Sequence, residues 1–234
     1  MEPRGVIFDF DGVILDTEVV LFRSWIALYE RYGSAPPSLG EWVRGIGSHE
    51  RPDPMARLVE LTEGAIDAEE AHHWRVERSR EMLRGESALP GVEAWLSTAK
   101  DLGLAVGIAS NSSQEWVERN LRRLGLLRHF DALSCFGPGL LGKPSPDLYV
   151  NACRLLGIDA AEAVAVEDSP SGVAAARAAG VFCVAVPNEL TAHVDLTAAD
   201  LVVPSLAALP LRDLVTSWSD RSAAVAGASV PRSV

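Results

Sequence analysis

Asp9 and Asp11 stand at the end of the apolar run GVIF, with Phe10 between them and Gly12 behind. Side chains two apart along a strand point the same way, so the two carboxylates would face one space. Two acids so placed repel, and one holds its proton more tightly unless a cation lies between them. That split suits a reaction needing both a nucleophile and an acid. Three other segments bring matching groups to strand ends or helix starts. LAVGIASNSS finishes on Ser110 and Asn111, whose hydroxyl and backbone N–H groups can hold a phosphate oxygen. GKPSPD sets Lys143 just ahead of a helix start, where an ammonium can balance charge on a phosphate and on a carboxylate. AVAVEDSPSG ends on Glu167 and Asp168, a second pair of hard oxygen ligands. Asp9, Asp11, Glu167 and Asp168, with Lys143 and Ser110, make a site for Mg2+ and a phosphoryl group.

These groups need a scaffold that gathers strand ends. Short apolar runs at 5–10, 104–109, 132–136, 163–167, 181–186 and 201–203 read as strands covered on both faces. Between them lie helical patterns closed by glycines suited to a left-handed turn: Val92 to Ala99 before Gly103, Val117 to Leu124 before Gly125, and Leu148 to Leu155 before Gly157. Ser145-Pro146 and Ser169-Pro170 each read as an N-cap serine followed by a first-turn proline. Alternation of this kind predicts an α/β fold with a doubly wound parallel sheet, whose ligands bind beyond the carboxyl ends of the strands.

Residues 17–89 break the alternation. Leu21, Trp25, Leu28 and Tyr32 recur at helical spacing, SAPPSLG reads as a loop, and Asp67 to Arg84 form a charged helical run without any strand pattern. The expected organisation is a core of residues 1–16 and 90–215, a small all-helical cap at 17–89 inserted after strand one, and a disordered tail at 216–234.

The 234 residues, 48% hydrophobic and 23% charged, suit one core with an inserted unit. No apolar stretch approaches the ~18 residues of a membrane helix, and the N-terminal apolar run is broken too early for a signal peptide. No membrane partner is expected, and the location expected is cytoplasmic. A net charge of −11 disfavours a nucleic-acid surface without excluding a locally positive site for a small phosphate ester. Cys135, Cys153 and Cys183 lack zinc-ligand spacing and read as buried thiols. The sequence fixes no oligomeric state; a monomer is favoured.

The order DxDGV, strand-end serine, GKPxPD and EDSxxG resembles the haloacid dehalogenase superfamily of phosphotransferases. Within it the chain is similar to the branch of sugar-phosphate phosphatases and β-phosphoglucomutase, which carries a helical cap after strand one. The resemblance spans nearly all of residues 5–205. It implies Asp9 as nucleophile and Asp11 as general acid/base, Ser110 and Lys143 as phosphoryl-binding groups, and Mg2+ held by Asp9, Asp168 and the backbone carbonyl of Asp11. Glu167 is either a further ligand or a residue behind the ligands. The activity so implied is hydrolysis of a small phosphorylated metabolite, a sugar or polyol phosphate, through an aspartyl phosphate.

The alternative is a phosphomutase, which would return the phosphoryl group to another hydroxyl. β-Phosphoglucomutase carries a histidine where this chain has Leu21, and the cap here contains no lysine, so hydrolysis is preferred. A phospho-switch of the receiver type would place its acceptor on a middle strand without a cap, and a dehalogenase would need neither Asp11 nor the acidic pair at 167 and 168. His72-His73 reads as a solvated face, whereas Arg44, Ser48 and His49 lie in a cap segment that could face substrate or simply join helices.

Overall fold

A computed structural model of the chain describes residues 2–44 and 53–218. All six expected strands form: β1 (Gly5–Phe8), β2 (Ala105–Ser110), β3 (Ala132–Cys135), β4 (Ala163–Glu167), β5 (Phe182–Ala185) and β6 (Leu201–Val202). They build one parallel sheet in the order β3-β2-β1-β4-β5-β6. The chain steps outward from β1 to β3, then crosses back to lay β4 on the other side of β1. Beyond the carboxyl ends of β1, β2 and β4 lies the crevice that such a reversal opens.

The central strands are buried on both faces, and alternate residues divide between two cores. Phe8, Val106, Ile108, Val164, Val166 and Val184 pack with Trp95, Leu96, Val117, Leu121 and Leu214. These come from α5 (Val92–Asp101), α6 (Gln114–Arg123) and α9 (Leu211–Thr216). On the opposite face Ile7, Ala109, Ala165, Cys183 and Ala185 meet Leu148, Ala152, Val173 and Ala176. The helices there are α7 (Asp147–Leu156) and α8 (Pro170–Ala178). The second face is lined by small side chains, which lets α7 and α8 lie close on the sheet and brings their first turns to the strand ends.

The cap follows β1 as α1 (Thr17–Arg31), α2 (Leu39–Arg44), α3 (Pro54–Leu61) and α4 (Ala68–Gly85), with no strand among its described residues. Asp16, Asp53 and Asp67 cap α1, α3 and α4 by accepting backbone N–H groups. Val19, Phe22, Trp25, Leu28, Trp42 and Leu58 give the cap its own core. The two passages between cap and core touch, since Leu89 N–H donates to Ile14 C=O at 3.0 Å. Ser48 and His49 lie outside the described residues, and so does Arg44's side chain.

Three local expectations change. The first strand stops at Phe8 rather than at residue 10, because Gly12 turns the chain at φ +87° and Gly12, Ile14 and Leu15 donate into a tight loop over residues 10–15. Ser145 does not cap α7; Pro146 occupies that position, and the Ser145 hydroxyl donates to Asp147 Oδ1 at 2.7 Å instead. The chain also stays ordered past 215, since Thr216 closes α9 and Trp218, only 2% exposed, packs against Phe182 with ring centroids 5.0 Å apart. An indole is too large an apolar surface to leave in water when a strand-end phenylalanine is within reach. Residues 219–234 of the expected tail lie outside the described residues.

The three cysteines are unpaired and buried. Burial pushes the Cys153 thiol up to about 11 and that of Cys135 to about 12, and it raises Cys183 as well, so all three stay protonated near neutrality. No described helix is long and apolar enough to cross a membrane.

Candidate active site

Strand β1 delivers Asp9 to the crevice, where its N–H still bonds Val166 C=O at 2.9 Å and its side chain is 10% exposed. From β4 come Glu167, fully buried, and Asp168, 3% exposed. One oxygen from each of Asp9, Glu167 and Asp168 lies within 4.8 Å of the others, the one such acidic group among the described residues. Three acids this close and this dry repel strongly. Lys143 answers part of that charge, its Nζ donating to Asp9 Oδ1 at 2.7 Å and to Glu167 Oε1 at 2.6 Å. Tyr149 of α7 donates its hydroxyl to the same Glu167 oxygen at 2.6 Å.

One cation against three buried carboxylates leaves negative charge over. Burial therefore lifts Asp9 to about 7 despite Lys143, with Glu167 and Asp11 adding to the rise. Asp168 is also raised well above the ordinary carboxylate range, again by burial first and then by Asp9 and Glu167. Burial opposes the charge on Lys143, but Asp9 and Glu167 together outweigh it and hold the ammonium charged. The donor set is all oxygen, compact and short of positive charge, so Asp9, Glu167 and Asp168 fit a hard divalent cation.

Asp11 is held apart from this cluster. Thr17 Oγ1 and Trp116 Nε1 donate to its Oδ1 at 2.8 and 3.1 Å, and Ser112 Oγ donates to its Oδ2 at 2.6 Å. The turn at Gly12 gives each carboxylate its own hydrogen-bond partners, while the two stay near enough for Asp11 to add to the rise of Asp9. Because Thr17 opens α1 and Trp116 lies in α6, Asp11 sits where cap and core meet.

Ser110 ends β2 fully buried, its Oγ 3.5 Å from Asp11 Oδ2 and accepting Ser112 N–H at 3.0 Å. The Asn111 side chain is engaged with the lysine loop, which leaves the expected phosphate contact to its backbone N–H. Its Oδ1 accepts Lys143 N–H at 2.7 Å and its Nδ2 reaches Lys143 C=O at 3.5 Å, so it latches the lysine loop to the end of β2.

Thr17, Ser112, Trp116, Tyr149 and Asn188, whose Nδ2 donates to Asp168 Oδ2 at 2.7 Å, were not singled out in the sequence. Thr17 opens the expected cap segment and Ser112 lies within LAVGIASNSS, so both carried a faint local signal. The other three belong to elements that only packing brings near.

Two glycines shape the site. A Cβ at Gly12 would overlap Asp168 Oδ2, and one at Gly172 would overlap the Glu167 carboxylate, which lies against the first turn of α8. Gly172→Ala should therefore displace Glu167 from Lys143 and Tyr149. We expect a stability loss of about 1–3 kcal/mol by denaturant titration, the size of an overpacked core position. An unchanged midpoint would mean that Glu167 can move away freely.

The metal-free protein has a pH signature with a fixed sign. Asp9 has a folded pKa raised above its unfolded value, so its contribution favours folding at low pH and is lost as pH rises through about 7. A divalent cation must displace that proton. Thermal midpoints measured with and without millimolar Mg2+ should show a small upward shift one pH unit below this value and a larger one a unit above it. Equal shifts at both would contradict cation binding at Asp9.

Relatives share this organisation over most of the chain. YhcW of Bacillus subtilis, provisionally named a phosphatase, is 40% identical over 188 residues, covering 80% of this chain and 85% of its own. β-Phosphoglucomutase of Bacillus subtilis is 30% identical over 222 residues, covering 92% of this chain and 95% of its own. Among solved structures, CbbY from Rhodobacter sphaeroides in complex with phosphate superposes with a TM-score of 0.69 at 27% identity, over 89% of this chain and 96% of that one. A hydrolase family model fits residues 3–180, the stretch that runs from β1 through the cap to the end of α8 and contains every acid of the crevice together with Lys143. On that match and this architecture, the chain belongs to the haloacid dehalogenase-like hydrolases.

Proposed function

We propose that the protein is a Mg2+-dependent phosphatase for a small phosphorylated metabolite, a sugar or polyol phosphate, acting through an aspartyl phosphate on Asp9. The observation that carries this reading is the placement of Asp9 between Lys143 and the acids of β4, with Asp11 held separately by cap and core. One carboxylate is thus kept for attack and the other for proton transfer. The core of residues 1–16 and 90–215 would supply the chemistry, and the cap of 17–89 would choose the leaving group and exclude bulk water.

Asp9, Glu167 and Asp168, joined by the backbone carbonyl of Asp11, would hold the cation; when bound, Mg2+ supplies positive charge to the phosphoryl oxygens and keeps Asp9 ionised. An Asp9 oxygen attacks phosphorus, and the bond to the leaving alkoxide breaks as Asp11 delivers its proton there. Lys143 and Ser110 bind the transferring oxygens. Water then attacks the acyl phosphate, Asp11 takes up the water's proton, and the Asp9–phosphorus bond breaks to release phosphate. The anhydride is more reactive than the ester, so one hard step becomes two easier ones.

The names of the relatives supply both a phosphatase and a mutase, and the crystal structure of CbbY in complex with phosphate supports a phosphoryl group as ligand. Hydrolysis is favoured by Leu21, which leaves α1 without an imidazole at that position, and by a cap without lysine. A Mg2+-dependent screen of hexose, pentose, polyol and nucleotide monophosphates tests the proposal. Free phosphate should appear from a sugar or polyol ester and fall to background with chelator. An isomer formed from a hexose 1-phosphate without free phosphate would establish the mutase instead.

A further inference from the structure

Outside the crevice, the last cap helix and a core helix enclose a cleft of about 270 Å3 lined by Arg80, Arg84, Arg119 and Arg123, with Leu83, Trp116 and Asn120 also on its walls. Arg80 and Arg84 are four apart on α4, and Arg119 and Arg123 are four apart on α6. Like charges at that spacing repel and weaken a helix, and here two such pairs face one space. Helix C-termini favour Arg84 and Arg123 individually, but that preference would be met equally well if the helices turned these side chains to separate water.

Local neutralisation is partial. Arg80 pairs with Glu77 and Arg119 with Glu115 on the surface. Among the described residues, neither Arg84 nor Arg123 has a carboxylate partner. Each uses a backbone carbonyl, Arg84 Nε reaching Arg80 C=O at 3.4 Å and Arg123 donating to Glu86 C=O at 2.8 Å. The Arg119 guanidinium lies over the Trp116 ring, 5.2 Å from its centroid, which limits its freedom before any ligand arrives. On a protein of net charge −11, four guanidinium groups around one cleft form a strong local exception.

We propose that this cleft binds a compact polyanion carrying two or more linked phosphoryl groups, a condensed phosphate or the polyphosphate of a nucleotide. Two arginine pairs on opposite walls match linked phosphates better than a single one, because each planar fork can take its own phosphoryl group. Such a ligand would clip α4 of the cap to α6 of the core. It would do so beside Trp116, whose Nε1 donates to Asp11 Oδ1, and so would act on cap position and on the proton-transfer group from outside the crevice.

Calorimetric titration of the full chain at low salt in chelator, with orthophosphate, pyrophosphate, tripolyphosphate and ATP, tests this. Tripolyphosphate should bind at least about tenfold tighter than orthophosphate and weaken steeply with added salt. ATP matching tripolyphosphate would support a site that reads phosphates alone, and ATP binding tighter would support a nucleotide as the source. Arg80→Ala/Arg119→Ala should weaken tripolyphosphate about tenfold or more, and Glu77→Gln/Glu115→Gln should tighten it several-fold. The side chains of Arg80 and Arg119 are 60% and 56% exposed, so their loss should leave the fold intact. If that variant does not fold, the glutamine variant decides, and no gain there overturns the proposal. Absence of binding, equal affinity for orthophosphate, or binding that survives the arginine changes and is competed by vanadate would each overturn it, the last by placing the ligand in the crevice.

Discussion

Asp9→Asn should abolish turnover while leaving the protein at least as stable as before. Asparagine keeps the shape and can still accept from Lys143 Nζ, which sits 2.7 Å from Asp9 Oδ1. It lacks the second anionic oxygen needed to attack phosphorus. Loss of a covalent nucleophile typically costs a thousandfold or more in kcat, so a fall on the order of 10³ or beyond is expected. The stability result points the other way because Asp9 is buried and repelled by Glu167 and Asp11, and a neutral amide escapes both costs. Turnover and thermal midpoint measured on one preparation, checked by mass for deamidation, test both halves. Wild-type velocity in that preparation would remove the aspartyl phosphate from the mechanism.

Lys143→Met should lose activity and stability together. Among the described residues the ammonium is the one side-chain cation bridging Asp9 and Glu167, and its side chain is 3% exposed. Without it, three buried acids face one another with no counter-charge, and removing one partner of a buried pair costs about 3–5 kcal/mol. The cost should grow as pH rises through about 7, where Asp9 ionises in the wild type. In the variant the loss of Lys143, which lowers that carboxyl, makes Asp9 keep its proton to higher pH and relieves part of the repulsion. Millimolar Mg2+ should restore part of the stability and little of the activity, because a cation on the acids replaces charge but not the hydrogen bond that orients Asp9. Denaturant midpoints at two pH values, with and without Mg2+, separate these contributions; a midpoint equal to wild type at every pH would show that Lys143 is not the counter-charge of the cluster.

Aspects of the site that depend on local chemistry were readable from residue order. Gly103, Gly125 and Gly157 take positive φ where the helical patterns end, and Ser169 caps α8 as its Ser-Pro signature implies. Ser145-Pro146 carries the same signature but fails, because Asp147 competes for the serine hydroxyl and the helix starts one residue later. A two-residue pattern cannot register that competition. Asn111 shows the same limit: no local pattern reveals that its side-chain amide holds the backbone of Lys143, 32 residues away in sequence.

By itself the sequence determined the alternation of buried strands and helices, the insertion after β1, and the delivery of Asp9, Glu167, Asp168, Ser110 and Lys143 toward one end of the sheet. Apolar periodicity, capping residues and glycines act over a few positions, so they can be seen in a linear string. Only the tertiary structure decided that Asp11 is held by Thr17, Ser112 and Trp116, that Tyr149 and Asn188 hold the β4 acids, and that four arginines line one cleft between α4 and α6. Those arrangements follow from how helices dock across the sheet and the cap, where the energy lies in contacts between residues far apart in the chain and leaves no local trace.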